Sequence, residues 1–159
     1  IVHSFSKSYA MTGWRIGGIT GPEEVVSRMS LLLETLASCV SPFIQLAAIE
    51  AMTGSQEYVD GMVEAYRKRR DLMVAGLNEV KGVTCLRPGG AFYVFPNITG
   101  TGFSSEEFST YLLEKAGVAT CPGSYFGPAG EGYVRFCFAN SEENIQNAIN
   151  RIKQILNEK

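Results

Sequence analysis

The sequence lacks the features that mark a membrane-spanning or nucleic-acid-binding protein. No apolar run reaches the roughly 18 residues that a membrane span requires. Charged residues make up only 19% of the chain, and 14 basic side chains against 16 acidic ones give a formal net charge of -2. This balance gives no electrostatic reason to expect nucleic acid or an anionic membrane as a partner. We therefore expect neither.

Cysteine is scarce and widely spaced. The four residues Cys39, Cys85, Cys121 and Cys137 show none of the close pair spacings used by zinc sites or dithiol redox centres, so no metal is predicted. Three of them lie in apolar runs typical of strands, where a free cysteine behaves as a small hydrophobic residue. We interpret all four as reduced core residues of a cytoplasmic protein.

Only one run of like charge is present, the basic residues 67–70. Acidic side chains, among them Glu64 and Asp71, lie within a few residues of this run in a stretch of helical character. Helical spacings of three and four bring opposite charges together. We therefore interpret the run as a solvated, partly ion-paired helix face and not as a phosphate-binding patch.

The first residues read Ile-Val-His-Ser-Phe-Ser-Lys and show no basic leader followed by an apolar stretch. A strand-like opening without a preceding turn resembles the middle of a longer sequence. We expect that sequence upstream of Ile1 has been cut away or not included.

Hydrophobic periodicity divides the chain into a mainly helical first part and a mixed second part. Residues 1–21, rich in Ser, Gly and aromatic side chains, fit a short strand, a loop and a second strand around 15–20. Helices are predicted at 22–37, 43–52, 58–80, 105–116 and 141–157. Short strands punctuated by Gly and Pro are predicted at 83–86, 91–96, 118–121 and 133–139. The second part is therefore an α+β unit.

The segment 4–18 combines a lone lysine with flanking hydroxyls and, eight residues on, a lone arginine in glycine-rich surroundings. A lysine amine in a desolvated pocket loses its charge more readily, which makes it a nucleophile toward an aldehyde and later a proton carrier. The arginine fork matches the geometry of a phosphate, and serine hydroxyls can donate to the same oxygens. By itself Lys7 would be an ordinary solvated lysine, so the surrounding string decides its interpretation.

That string, with Ser-Phe-Ser-Lys followed by Gly-Trp-Arg-Ile-Gly, closely resembles the cofactor-attachment segment of class I/II aminotransferases of fold type I. The resemblance implies that pyridoxal 5'-phosphate is the cofactor and that Lys7 is the lysine linked to it. Arg15 matches the arginine that binds the cofactor phosphate, and Ser4 matches a hydroxyl ligand of that phosphate. Ser6 matches the second serine of the motif and is included among the cofactor-binding residues.

The resemblance continues through 88–96, 122–127 and 132–136 into the last helix, and so covers essentially the whole chain. In the family, the arginine of the Tyr-Val-Arg strand binds the substrate α-carboxylate in a bidentate pair, and Arg135 is the matching residue. Phe92 matches a phenylalanine that lies near the substrate. Both are therefore predicted to bind substrate.

The resemblance also implies an α/β parent protein of pyridoxal-phosphate fold type I. In this interpretation, 1–54 are the C-terminal remnant of the large cofactor-binding domain, 55–80 form a long connecting helix, and 81–159 form a small α+β C-terminal domain. The parent is expected to be a homodimer. The family places the acidic partner of the pyridine nitrogen and several other cofactor contacts upstream of the lysine. The chain alone is therefore expected to be inactive.

The implied activity is transfer of an amino group from an L-amino acid to a 2-oxo acid, with the aspartate and broad-specificity group as the nearest resemblance. Two alternatives stay open. One is a fold type I lyase, either a β-lyase or a cyclising lyase, because these enzymes share the lysine and the arginines. The other is the aminotransferase-like effector domain of a transcription regulator. The sequence upstream of Ile1 would separate these possibilities.

Overall fold

A computed structural model describes residues 1–157 of the chain, and its side chains as far as residue 156. The described residues divide into two units, Ile1–Met62 and the part from Val63 onward. Within the described part, no helix is both long enough and apolar enough to cross a membrane. Each unit has its own secondary structure and is described by itself below.

The first unit begins as an antiparallel ribbon. Strand β1 (Val2–Ser4) pairs with β2 (Gly17–Ile19), and the short helix α1 (Phe5–Ser8) lies in the loop between them. Helices α2 (Glu23–Ala37) and α3 (Pro42–Thr53) follow. The helices predicted at 22–37 and 43–52 are thus confirmed to within one residue at each end. Proline at or next to the first helical position fixes both starts.

The first unit buries very little. Its strands and α2 contain no buried residue, and Met11 and Ala48 are the only buried residues among 1–62. Large apolar side chains face outward instead, with Leu36 exposed to 74% and Phe43 to 66%. Apolar surface is therefore left over in this part of the chain. Contiguous apolar surface of this kind is typical of interaction sites, and its cover by a second subunit stays a prediction.

The second unit contains a three-stranded antiparallel sheet in the order β3-β5-β4. Strand β5 (Val134–Cys137) lies between β3 (Tyr93–Val94) and β4 (Cys121–Pro122). Along β5 the side chains alternate, because Val134 and Phe136 are buried whereas Arg135 is half-buried and Cys137 exposed. One face of the sheet therefore belongs to the core, and Arg135 stands on the other face.

Three helices complete this core. Helix α4 (Glu57–Asn78) begins in the first unit and ends in the second, and α5 (Ser105–Ala116) and α6 (Glu142–Asn157) follow. The largest fully buried apolar side chains of the core are Leu77, Val94, Ile98, Phe108, Leu112, Val134, Phe138, Ile149 and Ile152. Helices and sheet thus bury one common apolar interior, as expected of an α+β unit.

All four strands predicted in this unit are wrong in extent. Those predicted at 91–96 and 133–139 are shorter, Tyr93–Val94 and Val134–Cys137, and the other two are also misplaced. Residues 83–86 form a single bridge, Thr84 with Asn97, and not a strand. The Asn78 side chain forms hydrogen bonds with the backbone of Cys85, the residue that follows Thr84. It donates to the Cys85 carbonyl at 2.9 Å and accepts from the Cys85 N–H at 2.8 Å. Those backbone groups are then unavailable to a ladder. The strand predicted at 118–121 begins only at Cys121 and ends at Pro122, which has no N–H to donate.

The interpretation of all four cysteines as core residues is also wrong. All four are free thiols, but only Cys85 is buried, whereas Cys121 is half-buried and Cys39 and Cys137 are exposed. Cys137 occupies an outward position of β5, although it lies in an apolar run, because alternation places it on the same face as Arg135. Cys39 follows the end of α2, in the unit that buries few residues.

The basic run 67–70 is only partly the solvated face that was predicted. Arg67 pairs with Glu64 at 3.0 Å and is exposed, as expected. The side chain of Arg70, however, is only 14% exposed, and its Nε donates to Asp71 at 2.8 Å. Arg87 reaches the same carboxylate at 2.9 Å. Hydrogen bonds from Arg87, and then from Arg70, hold the pKa of the Asp71 carboxyl well below its usual range.

Candidate functional site

Lys7 lies on α1, in the loop that joins the two strands of the first unit. Ser4 begins this helix as its N-cap, and its Oγ accepts a hydrogen bond from the Ser6 N–H at 3.2 Å. The Lys7 side chain is exposed. The desolvated pocket expected around a reactive lysine is therefore not formed by the residues that the structure describes.

Arg15 is tied to the same short helix through Thr12. The Thr12 hydroxyl donates to the Ser6 carbonyl at 2.9 Å, and Arg15 Nη1 donates to the Thr12 carbonyl at 3.1 Å. Arg15 also adopts the left-handed conformation, with φ of 53°, which costs a residue with a side chain roughly 1–2 kcal/mol. Backbone strain of this kind clusters at ligand sites. Sequence analysis had not singled out Thr12.

The base of this loop is closed by Gly17. Ser4 and Gly17 are paired across the ribbon. Phe5 and Ile16 extend this pairing by one hydrogen bond, in which the Phe5 N–H donates to the Ile16 carbonyl at 3.3 Å. A Cβ at Gly17 would lie 2.6 Å from the His3 carbonyl oxygen, so a side chain there would push the strands apart. The structure thus places Ser4, Ser6, Lys7 and Arg15 in or at the base of one closed loop.

Arg135 lies on the central strand of the second unit and is held by two aromatic rings. Its Cζ is 4.4 Å from the centre of the Tyr93 ring and 4.7 Å from the centre of the Phe126 ring. Within the described part of the chain, the guanidinium makes no ion pair and no side-chain hydrogen bond. Stacking on aromatic faces leaves the N–H edge of an arginine open to a planar anion. Sequence analysis had missed both rings.

Phe92 packs against the core, and its ring lies 4.5 Å from that of Tyr93. Its ring is half-buried against the core and lies 6.1 Å from the ring of Tyr66, and its carbonyl accepts from the Phe138 N–H at 3.0 Å. Alternation along the strand places Tyr93, and not Phe92, on the face of Arg135. This alternation was the signal in the sequence that could have identified Tyr93. A contact of Phe92 with substrate stays a prediction.

No described group of three or more His, Cys, Asp or Glu side chains is placed to hold a metal ion. The predicted site residues of the first unit instead offer an amine, a guanidinium and hydroxyls, and those of the second unit offer the Arg135 guanidinium. Such a set suits anionic and carbonyl-bearing molecules, because it can donate to phosphate or carboxylate oxygens and can attack an aldehyde.

Comparison with known proteins places this fold and these residues in a family. A model described as aminotransferase class I and II matches residues 1–152. An aspartate aminotransferase of Pyrococcus horikoshii is 46% identical over 98% of this chain and 40% of its own length. Aromatic-amino-acid aminotransferase 2 of Thermococcus litoralis is 43% identical over 99% of this chain and 41% of its own length.

A solved structure agrees with these relatives. The crystal structure of an aromatic aminotransferase from Pyrococcus horikoshii superposes with a TM-score of 0.94 at 42% identity, over 99% of this chain and 42% of that one. The fold is therefore that of the pyridoxal-phosphate enzymes of fold type I. The chain belongs to the class I and II aminotransferase family. It spans about two fifths of the length of the curated relatives that it matches.

These relatives bear on the two alternatives. The two curated relatives and the solved structure described above are named as aminotransferases, so neither the lyase nor the regulator is favoured. Members of the class I and II family depend on pyridoxal phosphate and act on amino acids and 2-oxo acids.

Proposed function

We propose that the protein to which this chain belongs is a pyridoxal-phosphate-dependent aminotransferase that transfers the amino group of an L-amino acid to a 2-oxo acid. The observation that carries this proposal is the state of Arg135. Its guanidinium rests on Tyr93 and Phe126 and finds no acceptor among the side chains and backbone groups that the structure describes. An arginine fork held by its flat face suits a bidentate pair with the α-carboxylate that both substrates carry.

The donor set of the loop in the first unit fits a cofactor that bears an aldehyde and a phosphate. Lys7 offers the amine that links the aldehyde carbon, and Arg15 offers a guanidinium for the phosphate. The Ser4 oxygen accepts from the Ser6 N–H, so its own O–H proton remains for a phosphate oxygen. When bound, pyridoxal phosphate supplies an electron sink for the charge that develops at the α-carbon of the amino acid.

The residues of this chain would then divide the work. Arg135 binds the substrate carboxylate and orients the α-carbon. The Lys7 amine would hold the cofactor through its aldehyde group and, when free, would take the α-proton of the amino acid at its Nζ and give it up again. Arg15 retains the cofactor, together with Ser4 and with Ser6, whose carbonyl anchors Thr12. Phe92 lines the substrate site.

We further propose the domain assignment and the setting of the parent protein. Residues 1–54 belong to its large cofactor-binding domain, 55–80 connect the domains, and 81–159 form its small C-terminal domain. The parent acts as a homodimer in the cytoplasm, which would cover the apolar surface of the first unit. The chain alone is inactive, because the exposed Lys7 lacks the surroundings that a reactive amine requires.

The test is amino-group transfer by the full-length parent and its Lys7→Ala variant. The variant should lose transfer while it still holds the cofactor non-covalently, since the phosphate contacts remain. Lys81→Ala is the matched control, because Lys81 is an exposed lysine of the other unit, and it should retain activity. Release of free ammonia with no amino-acid product would instead show a lyase and contradict the proposal.

The two arginine variants should fail differently. Arg15→Ala should lower cofactor retention, which dialysis measures. Arg135→Ala should weaken amino-acid binding by roughly 2 to 5 kcal/mol, about 30- to 5,000-fold, because a carboxylate is left without its partner. Equal losses of cofactor and substrate affinity in both variants would contradict the separate roles.

A further inference from the structure

Glu131 precedes β5 in the sequence, and its carboxylate accepts two hydrogen bonds from Ser105, the first residue of α5. Oε1 accepts from the Ser105 N–H at 2.8 Å, and Oε2 accepts from the Ser105 hydroxyl at 2.7 Å. Ser105 is fully buried. The hydrogen bond from the Ser105 hydroxyl, and to a smaller extent that from the Ser105 N–H, lowers the pKa of the Glu131 carboxyl. The carboxyl is therefore an anion at neutral pH.

The same serine connects Glu131 to a second segment. A hydroxyl carries a single proton. Since Ser105 gives that proton to Glu131, its oxygen faces Ser124 as an acceptor. The Ser124 hydroxyl lies 3.1 Å from this oxygen, and the Ser124 N–H donates to it at 3.4 Å. A chain of hydrogen bonds thus runs from Ser124 through Ser105 to Glu131.

Ser124 belongs to the turn Gly123–Phe126, which carries one of the two rings that hold Arg135. This turn sits backbone against backbone on the segment that contains Glu131. A Cβ at Gly123 would lie 2.0 Å from the Gly130 carbonyl oxygen, and the Gly123 N–H donates to the Tyr133 carbonyl at 2.9 Å. Displacement of the Glu131 segment therefore also displaces the Phe126 ring.

We propose that Glu131 is a positioning residue for the carboxylate-binding arginine. Through Ser105 and Ser124 it fixes the turn that carries Phe126, and this ring fixes the orientation of the Arg135 guanidinium. The effect on substrate binding rests on the proposed function of Arg135, whereas the effect on the geometry of Arg135 does not.

The simpler possibility is that Glu131 only stabilises the N-terminus of α5, where a negative charge is favourable. The chain offers a matched control for it. Glu107 lies at the same helix end and accepts from the Ser104 N–H at 2.9 Å and from its hydroxyl at 2.7 Å, in a capping box. Among the described residues, no hydrogen bond of that box reaches Ser124. Glu107→Gln therefore removes a charge from the helix end and spares the chain of hydrogen bonds.

The structural test is NMR of the Arg135 side chain in this 159-residue chain. An aromatic ring close to a guanidinium shifts the proton resonances of that group. The Phe126→Leu variant therefore shows how much of the shift at Arg135 is caused by the Phe126 ring. Glu131→Gln should move the Arg135 resonances most of the way to their positions in Phe126→Leu, and Glu107→Gln should leave them unchanged. Wild-type resonances in Glu131→Gln, or an equal movement in Glu107→Gln, would overturn the proposal.

A second variant covers the case in which Glu131→Gln fails to fold. Ser124→Ala retains both bonds of Glu131 to Ser105 and removes only the last hydroxyl of the chain. It should move the Arg135 resonances in the same direction. Resonances that stay at their wild-type positions in Ser124→Ala would overturn the proposal.

The functional test uses the full-length parent. Glu131→Gln should raise KM for the amino acid about tenfold at a nearly unchanged kcat, below the roughly hundredfold loss that a misplacement of 1 Å can cause. Unchanged KM together with displaced Arg135 resonances would overturn the proposed role of Arg135 in substrate binding. Unchanged resonances would overturn the positioning role of Glu131, so the two failures are distinguishable.

Discussion

Gly76 offers a sharp test of the packing between α4 and α6. Gly76 is buried, and a Cβ built there would lie 2.5 Å from Cδ1 and 2.7 Å from Cγ2 of Ile149. Ordinary carbon contacts are about 3.5–4.0 Å, so the overlap is about 1 Å. Ile149 is itself only 1% exposed and β-branched, and it therefore has little room to move aside.

Two effects of Gly76→Ala oppose each other. Overpacking of a core costs about 1–3 kcal/mol, and the close approach to Ile149 places this site toward the upper end. Replacing a helical glycine by alanine contributes about 1 kcal/mol of stability. We therefore expect Gly76→Ala to destabilise the second unit by about 1–2 kcal/mol. Gly61→Ala is the control in the same helix, because a Cβ there meets no atom within 4 Å, and it should stabilise the helix.

A double-mutant cycle separates the clash from other effects. Ile149→Ala alone should cost about 2–5 kcal/mol, and it removes every Ile149 atom that the new Cβ would meet. In that background Gly76→Ala should become stabilising by about 1 kcal/mol, which gives a coupling of about 2–3 kcal/mol. Urea unfolding followed by far-UV circular dichroism measures all four proteins. The same effect of Gly76→Ala in both backgrounds would refute the reasoning.

Two further predictions follow from protonation. Burial raises the pKa of the Cys85 thiol to about 11. At pH 8 an alkylating reagent should therefore modify the exposed Cys39 and Cys137 of the native chain and leave Cys85 unmodified. Equal rates of modification, measured by mass spectrometry, would contradict the burial of Cys85. Hydrogen bonds from Ser104 lower the pKa of the Glu107 carboxyl, so its contribution to stability is present above the unfolded pKa and is lost as pH falls through the folded one. Glu107→Gln should therefore flatten the acid limb of the stability curve, and an unchanged acid limb would exclude this contribution.

Helices could be predicted from the sequence where nearby capping residues determine their ends. Helix α5 was predicted with its observed bounds, because Ser104 caps one end and Gly117, with φ of 64°, ends the other. The strands were less predictable, since their length depends on which backbone groups find partners elsewhere. Asn78 satisfies the backbone of Cys85 from a neighbouring helix, and no local pattern announces that bond.

In the candidate site, too, some residues could be predicted from the sequence and others could not. Lys7, Arg15 and Arg135 could be singled out because a long and specific string surrounds them. Of their surroundings, Tyr93 could have been identified from strand alternation, whereas no local pattern predicts that the turn Gly123–Phe126 places its Phe126 ring on Arg135. Lys7 is exposed, although a reactive lysine is expected in a desolvated pocket.

The central claim is that Lys7 carries the cofactor, and borohydride reduction tests it most directly. The full-length parent is loaded with pyridoxal phosphate, reduced, digested and mapped by mass spectrometry. The account predicts that the cofactor is fixed to the peptide that contains Lys7, and that Lys68, Lys81, Lys115 and Lys153 stay unmodified. Cofactor fixed to a different lysine, or no fixed cofactor at all, would contradict it.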